Sequence, residues 1–103
     1  MKKVMRKVNV RFVSECRNLE FENGVCEIVF RDERDFVKKC LLEEFDNDKE
    51  GIIKYWSEYC GLGNWLMSMN EVIDEVIENK EVGKYWLSEE GYVEMDLSSF
   101  KRV

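Results

Sequence analysis

Two hydrophobic periods follow one another along these 103 residues, and the change from one to the other constrains the fold more than any other feature. Residues 4–13 alternate, with Val4, Val8, Val10 and Phe12 on one face and Lys3, Lys7, Asn9 and Arg11 on the other; Arg6 is the exception. That is the period of a half-buried strand, because successive side chains point to opposite faces of the pleat. Asn23-Gly24 then separates residues 19–22 from 25–31, a two-residue spacing that signals a type I′ hairpin. Counting outward from the turn sets Phe21 against Cys26 and Leu19 against Ile28, and opposes Glu20 to Glu27. Lys7 or Arg11 would neutralise that like-charge pair if the first strand lay alongside.

From Asp32 onward the period is helical. Asp32 begins a helix with Asp35 in its first turn, where carboxylates suit the exposed amides. Phe36, Val37, Cys40, Leu41 and Phe45 keep one apolar face to about residue 46. Asp46-Asn47-Asp48 breaks the pattern, and Asp48 caps a second helix with Ile52, Ile53, Trp56, Tyr59 and Cys60 as its buried stripe. Gly61 is a natural stop. Ser68 with Glu71 three residues later reads as a capping box for a third helix. After Gly83, residues 84–87 and 92–97 form either a closing hairpin or a helical turn followed by a short strand.

The expected fold is therefore one α+β domain over residues 1–103. It comprises a small N-terminal antiparallel β-meander (about 4–13, 18–22 and 25–31), three helices (about 33–46, 49–60 and 69–80) and a short C-terminal strand or hairpin. An apolar content of 45% fits a globular chain, and unbroken apolar runs of three residues, such as Cys40-Leu41-Leu42, are too short for a membrane helix. No apolar segment follows the basic start, so no signal peptide is expected and the cytoplasm, here of an infected bacterial host, is the expected compartment.

Charge divides where the period changes. Residues 1–13 hold Lys2, Lys3, Arg6, Lys7 and Arg11 and no acid, whereas residues 40–100 hold 15 acids and four bases. The basic β-rich part (1–31) thus precedes an acidic helical part (32–103). An acidic surface keeps a small protein soluble; it also repels nucleic acid and attracts proteins that bind it. The chain has no His, Pro, Ala, Thr or Gln. Without His, the Ser-His-Asp and Cys-His nucleophile pairs cannot be built, so an enzyme is disfavoured and no catalytic residue is assigned. The missing Ala and Pro, with their GC-rich codons, point to an AT-rich genome of the kind carried by low-GC bacteria and their phages.

The third helix carries the densest charge. Val72, Ile73, Val76 and Ile77 take its core face, and Glu71, Asp74, Glu75 and Glu78 line the opposite one at i, i+3, i+4 and i+7. From 71 to 78 the helix rises about 10 Å, so its carboxylates recur every ~3–3.5 Å, close to the ~3.4 Å phosphate spacing of one B-DNA strand. No Lys or Arg interrupts the stripe along the helix. Glu43, Glu44, Asp46, Asp48 and Glu50 form a second acidic cluster across the first helix–helix junction, and the two clusters together would imitate a phosphate track.

Leu41-Leu42-Glu43-Glu44-Phe45-Asp46, then Ile53-Lys54-Tyr55-Trp56-Ser57-Glu58-Tyr59, a glycine-containing loop and the acidic helix resemble the antirestriction protein family ArdA. Val82-Gly83-Lys84-Tyr85-Trp86-Leu87-Ser88-Glu89-Glu90-Gly91, followed by Tyr92-Val93-Glu94-Met95-Asp96, looks like that family's C-terminal region. The resemblance spans about residues 40–97. It implies an acidic, dimer-forming mimic of bent B-form DNA that occupies the DNA site of type I restriction enzymes, with Glu71, Asp74, Glu75 and Glu78 as phosphate surrogates. The chain departs from the family in its shorter length, its basic strand-rich N-terminus and its less negative net charge of −6. It is also similar in kind to anti-CRISPR proteins.

The expected partner is accordingly a host defence nuclease or effector complex, a restriction enzyme or a CRISPR-Cas assembly, met by the acidic half without direct nucleic-acid binding there. A homodimer is compatible with the resemblance; no membrane, cofactor or metal is expected. The alternative is a small nucleic-acid-binding or regulatory module that uses the basic first strand. Trp65, Tyr85 and Trp86 are candidate aromatic contacts beside the acids. The four cysteines show no CxxC pair, which disfavours a zinc site; Cys26, Cys40 and Cys60 read as small core residues, and Cys16 as the one candidate reactive thiol.

Overall fold

A computed structural model of the chain describes residues 5–14 and 25–102. The expected strand at 18–22, the Asn23-Gly24 turn and Cys16 lie outside the described residues. Along the chain run β1 (Arg6–Ser14), β2 (Val25–Phe30), α1 (Glu33–Glu44), α2 (Lys49–Tyr59), α3 (Met69–Glu78), β3 (Lys84–Trp86) and β4 (Gly91–Arg102). The strands form one antiparallel sheet in the order β2-β1-β4-β3, so the fold is α+β.

Alternation along β1 decides which face of the sheet is covered. Val8 and Val10 are buried together with Ile28 and Phe30 of β2, Tyr85 of β3 and Val93 of β4. Against this face pack Phe36, Val37, Cys40 and Leu41 of α1, Ile52 and Trp56 of α2, and Val72, Ile73 and Val76 of α3. The Phe36 ring sits between Phe30 and Tyr85, with centroids 5.1 and 5.3 Å away. Each helix begins on the residue its sequence nominates. Asp32 accepts the Asp35 N–H at 2.8 Å and Asp48 that of Gly51 at 2.9 Å, while Ser68 and Glu71 close a reciprocal capping box. Between α1 and α2, Asp46 and Asn47 take left-handed backbone with φ of 52° and 63°, a conformation that short Asx side chains tolerate better than most.

Of the two readings left open after Gly83, the hairpin is the one formed, by β3 and β4; β4 is longer than expected, spanning 12 residues as the second central strand, paired along β1. Its latter part escapes a period-2 reading because the ladder is interrupted. Lys7 faces Lys101 but Asn9 faces Asp96, so residues 97–100 bulge opposite Val8. Within the bulge the Ser99 hydroxyl accepts the Asn9 N–H at 2.7 Å and donates to the Asp96 carbonyl at 2.6 Å.

On α2, Ile52 and Trp56 are buried as expected, but Ile53 and Cys60 are half-buried and Tyr59 is 58% exposed. The buried residue that hydropathy misses is Ser57. Its hydroxyl donates to the Ile53 carbonyl at 2.6 Å, which silences its polarity within the helix, and accepts the Met67 N–H at 2.8 Å. That second bond ties the 61–67 loop back onto α2. Ser57→Ala removes the hydrogen-bond partner of the buried Met67 N–H, and is expected to cost about 1–3 kcal/mol. Urea denaturation of the variant beside the parent protein measures this as a lower midpoint with an unchanged slope.

Candidate acidic binding surface

Two of the cations on the sheet are answered within it. Arg11 on β1 donates to the Glu94 carboxylate of β4 at 2.7 Å, and Lys7 lies 3.9 Å from Glu27 of β2. The register explains both pairs, since Arg11 stands directly opposite Glu94 and Glu27 faces Asn9, next but one along β1 from Lys7. Part of the basic strand's charge is thereby spent on neighbouring acids of the same face.

The stripe on α3 is not four equivalent carboxylates. Glu71 folds back to accept the Ser68 N–H at 3.1 Å, so it serves its own helix start. Asp74 is paired with the Arg34 guanidinium of α1, which also donates to the Asn70 carbonyl at 3.1 Å. The interleaving cation that α3 lacks in sequence thus arrives from a neighbouring helix. Glu75 is half-buried and turned toward α2, its carboxylate 3.4 Å from the Asn79 amide nitrogen. Glu78 remains exposed at the end of α3. Nearby, Lys80 pairs with Glu33 at the start of α1, and Glu33 also accepts the Tyr85 hydroxyl at 2.8 Å. The Lys80 ammonium, with help from Tyr85, holds Glu33 below the usual carboxylate range against the opposing effect of burial.

The second cluster stands apart from the first. Glu43, Glu44, Asp46, Asp48 and Glu50 are all exposed at the α1–α2 junction, and none of them enters an ion pair among the described residues. Arg34, which meets α3, precedes Glu43 by nine residues, and at ~1.5 Å per residue this places the junction about 14 Å farther along α1. α1 holds the junction cluster at its C-terminal end and meets the α3 stripe at its N-terminal end. Within the junction, Asp48 is engaged as a cap, and the Glu44 carboxylate lies over the β3–β4 turn. A Cβ added at Gly91 would stand 2.9 Å from its Oε1, so the glycine admits the carboxylate. Burial there, with the charge of Asp46, pushes the Glu44 carboxyl up.

Of the three aromatics singled out in the sequence, Trp65 is 80% exposed on the α2–α3 loop beside exposed Leu66, where a contact residue would be. Tyr85 is a correction: only 7% exposed, it belongs to the core, and burial and the Glu33 carboxylate push its phenol well up. Alternation on β3 sends Trp86 to the opposite face, half-buried, its ring 4.8 Å from that of Tyr92 with the Lys84 ammonium above both. Cys40 is buried, while Cys26 and Cys60 pack at the core's margin; burial pushes all three thiols up, away from reactive thiolate.

The fold also joins residues that no local pattern connects. Trp56 and Tyr59 of α2, Glu75 and Asn79 of α3, and Ser88 and Glu89 of the β3–β4 turn line a cleft of about 470 Å³, with Trp86 at the sheet edge completing it. Trp56 and Tyr59, three apart, were legible as one helix face; Glu89 reaches them only through the hairpin. Among the described residues, no group of three or more His, Cys, Asp or Glu is placed to hold a metal ion, and no helix is long and apolar enough to cross a membrane.

Comparison with family models, curated proteins and solved structures yields no significant match to this chain.

Glu44 provides a pH test of this electrostatic arrangement. Its carboxyl binds its proton more tightly in the folded chain than at the ordinary value of 4.5, so the folded state is favoured below that pH and loses this contribution as pH rises through the folded value. Glu44→Gln should therefore raise the thermal midpoint at pH 7 and leave it unchanged near pH ~3.5, where both side chains are neutral. Thermal unfolding at the two pH values checks the sign.

Proposed function

We propose that this protein is a non-enzymatic inhibitor, of phage or mobile-element origin, that occupies the basic nucleic-acid site of a host defence complex such as a restriction enzyme or a CRISPR effector. The observation that carries the proposal is the segregation of charge between the two layers. On the sheet, Lys7 and Arg11 are met by Glu27 and Glu94. At the α1–α2 junction, Glu43, Glu44, Asp46 and Glu50 are exposed and enter no ion pair among the described residues. Carboxylates held on capped helices present fixed negative charge to a channel lined with Lys and Arg, which is the charge pattern a phosphate backbone offers. Inhibition then requires occupancy alone. The alternative, a nucleic-acid-binding module built on β1, draws less support, because Lys7 and Arg11 of that strand each lie against an acid.

Cells carrying a type I restriction system or a CRISPR effector, challenged with unmodified phage, provide the test. Expression of the protein should restore plaque formation, and the Glu43→Lys, Glu44→Lys, Glu50→Lys triple variant should lose the rescue while keeping its fold. With a purified target, competition against duplex DNA should weaken at least about tenfold between 50 and 200 mM salt, as screened charge pairs require. Absence of rescue across the panel, or inhibition indifferent to salt, would overturn the proposal.

A further inference from the structure

The cleft between α2, α3 and the β3–β4 turn has the makings of a cation site rather than an apolar groove. Its aromatic wall is the exposed Tyr59, set edge-to-face on buried Trp56 at 5.5 Å between centroids and backed by the parallel ring of Tyr55 at 6.3 Å. Trp56 is anchored by its indole N–H to the Leu87 carbonyl at 3.1 Å, so this wall does not depend on a ligand for its position. Acidic residues line it from two other elements: Glu75 from α3 and Glu89 from the turn. The turn itself is fastened, since the Tyr55 hydroxyl accepts the Glu89 N–H at 2.6 Å and the Ser88 hydroxyl accepts the Gly91 N–H at 2.9 Å.

Neither Glu75 nor Glu89 enters an ion pair among the described residues. Of the neighbouring cations, Lys80 pairs with Glu33, and Lys84 lies over the Tyr92 ring at 4.0 Å and the Trp86 ring at 5.1 Å. A volume of about 470 Å³ falls within the range of roughly 300–1,000 Å³ typical of ligand pockets.

We infer that this cleft receives a single arginine side chain from a partner protein. A guanidinium is planar, so it stacks on a tyrosine or tryptophan ring while its fork of N–H donors reaches carboxylates on separate walls. An ammonium is a compact, strongly hydrated point charge and fits such a divided site less well. Asn79 spends an amide N–H on Glu75, which leaves its carbonyl oxygen as a further acceptor. That the arginine comes from a nucleic-acid-binding channel rests on the function proposed above; the chemistry of the cleft stands on its own residues.

The test is a two-dimensional NMR titration of the full chain with N-acetyl-arginine N-methylamide, and in parallel with the lysine analogue. Saturable shifts of the Trp56 indole N–H and of the Glu75 and Glu89 amides are expected with the arginine probe, with affinity at least about fivefold higher than for lysine. Glu75→Gln with Glu89→Gln should weaken arginine binding by about tenfold or more, and Tyr59→Leu should remove the preference over lysine. Unchanged thermal midpoints would show that the variants fold. Shifts centred on the α1–α2 junction, equal responses to both probes, or no saturable shift would overturn the inference. Failure here with phage rescue intact removes the cleft and leaves the proposed function. Arginine binding without rescue in any defence system removes that function and leaves the site.

Discussion

The pairing of β1 with β4 is the interaction on which the rest of this molecule depends. It joins Arg11 to Glu94, 83 residues apart in sequence, and places the first and last described strands side by side in the middle of the sheet. Once it forms, the faces of β1 and β4 carrying Val8, Val10 and Val93 become one apolar surface that must be covered, and α1, α2 and α3 are the elements that cover it. The same pairing sets the place of β3 at the sheet edge, and so lays the turn at residues 87–90 against α2. A contact this distant in sequence is entropically expensive to close, so the helices are expected to form their local structure before the sheet is complete.

Charge follows the two layers for different reasons. In the sheet, register puts Lys7 and Arg11 of β1 near acids, and those pairs are exposed and individually weak. In the helices, several acids are used at starts, where the backbone leaves N–H groups without partners: Asp32, Asp48 and Glu71 all accept them. Subtracting those caps and the Asp74–Arg34 pair leaves a smaller and more local acidity than composition suggests. It includes the α1–α2 junction, exposed Glu58, Glu78 and Glu81, and Glu75 and Glu89 in the cleft.

That redistribution makes the functional proposal more specific. A diffuse acidic surface attracts any basic partner, whereas charge at one helix junction combined with an aromatic-lined cation cleft demands a partner of matching shape. Trp65, exposed on the α2–α3 loop, lies outside both features and adds apolar area to the same layer. Electrostatic attraction over the junction would govern the approach of a basic site, while the cleft would determine which side chain is held.

The sequence by itself determined what depends on neighbours a few residues away. The alternation of β1, the helix caps at Asp32, Asp48 and Ser68, and the core positions Phe36, Val37, Cys40, Leu41, Val72, Ile73 and Val76 were all legible. Each reflects hydrogen bonding or periodicity within a single element. Ser57 was not legible, because its burial rests on a bond to Met67 in another segment, nor was the burial of Tyr85, which depends on Glu33 and the core. The bulge at 97–100 hid half of β4 for the same reason: its residues answer to Asn9, far away in the chain. Only the tertiary structure decided that Arg34 would divide the acidic stripe, that the two acidic clusters would stand at opposite ends of α1, and that Tyr59, Glu75 and Glu89 would meet. Those outcomes depend on how the helices cross and where the hairpin lands, and such long-range geometry is fixed by packing against the β1–β4 surface rather than by any local pattern.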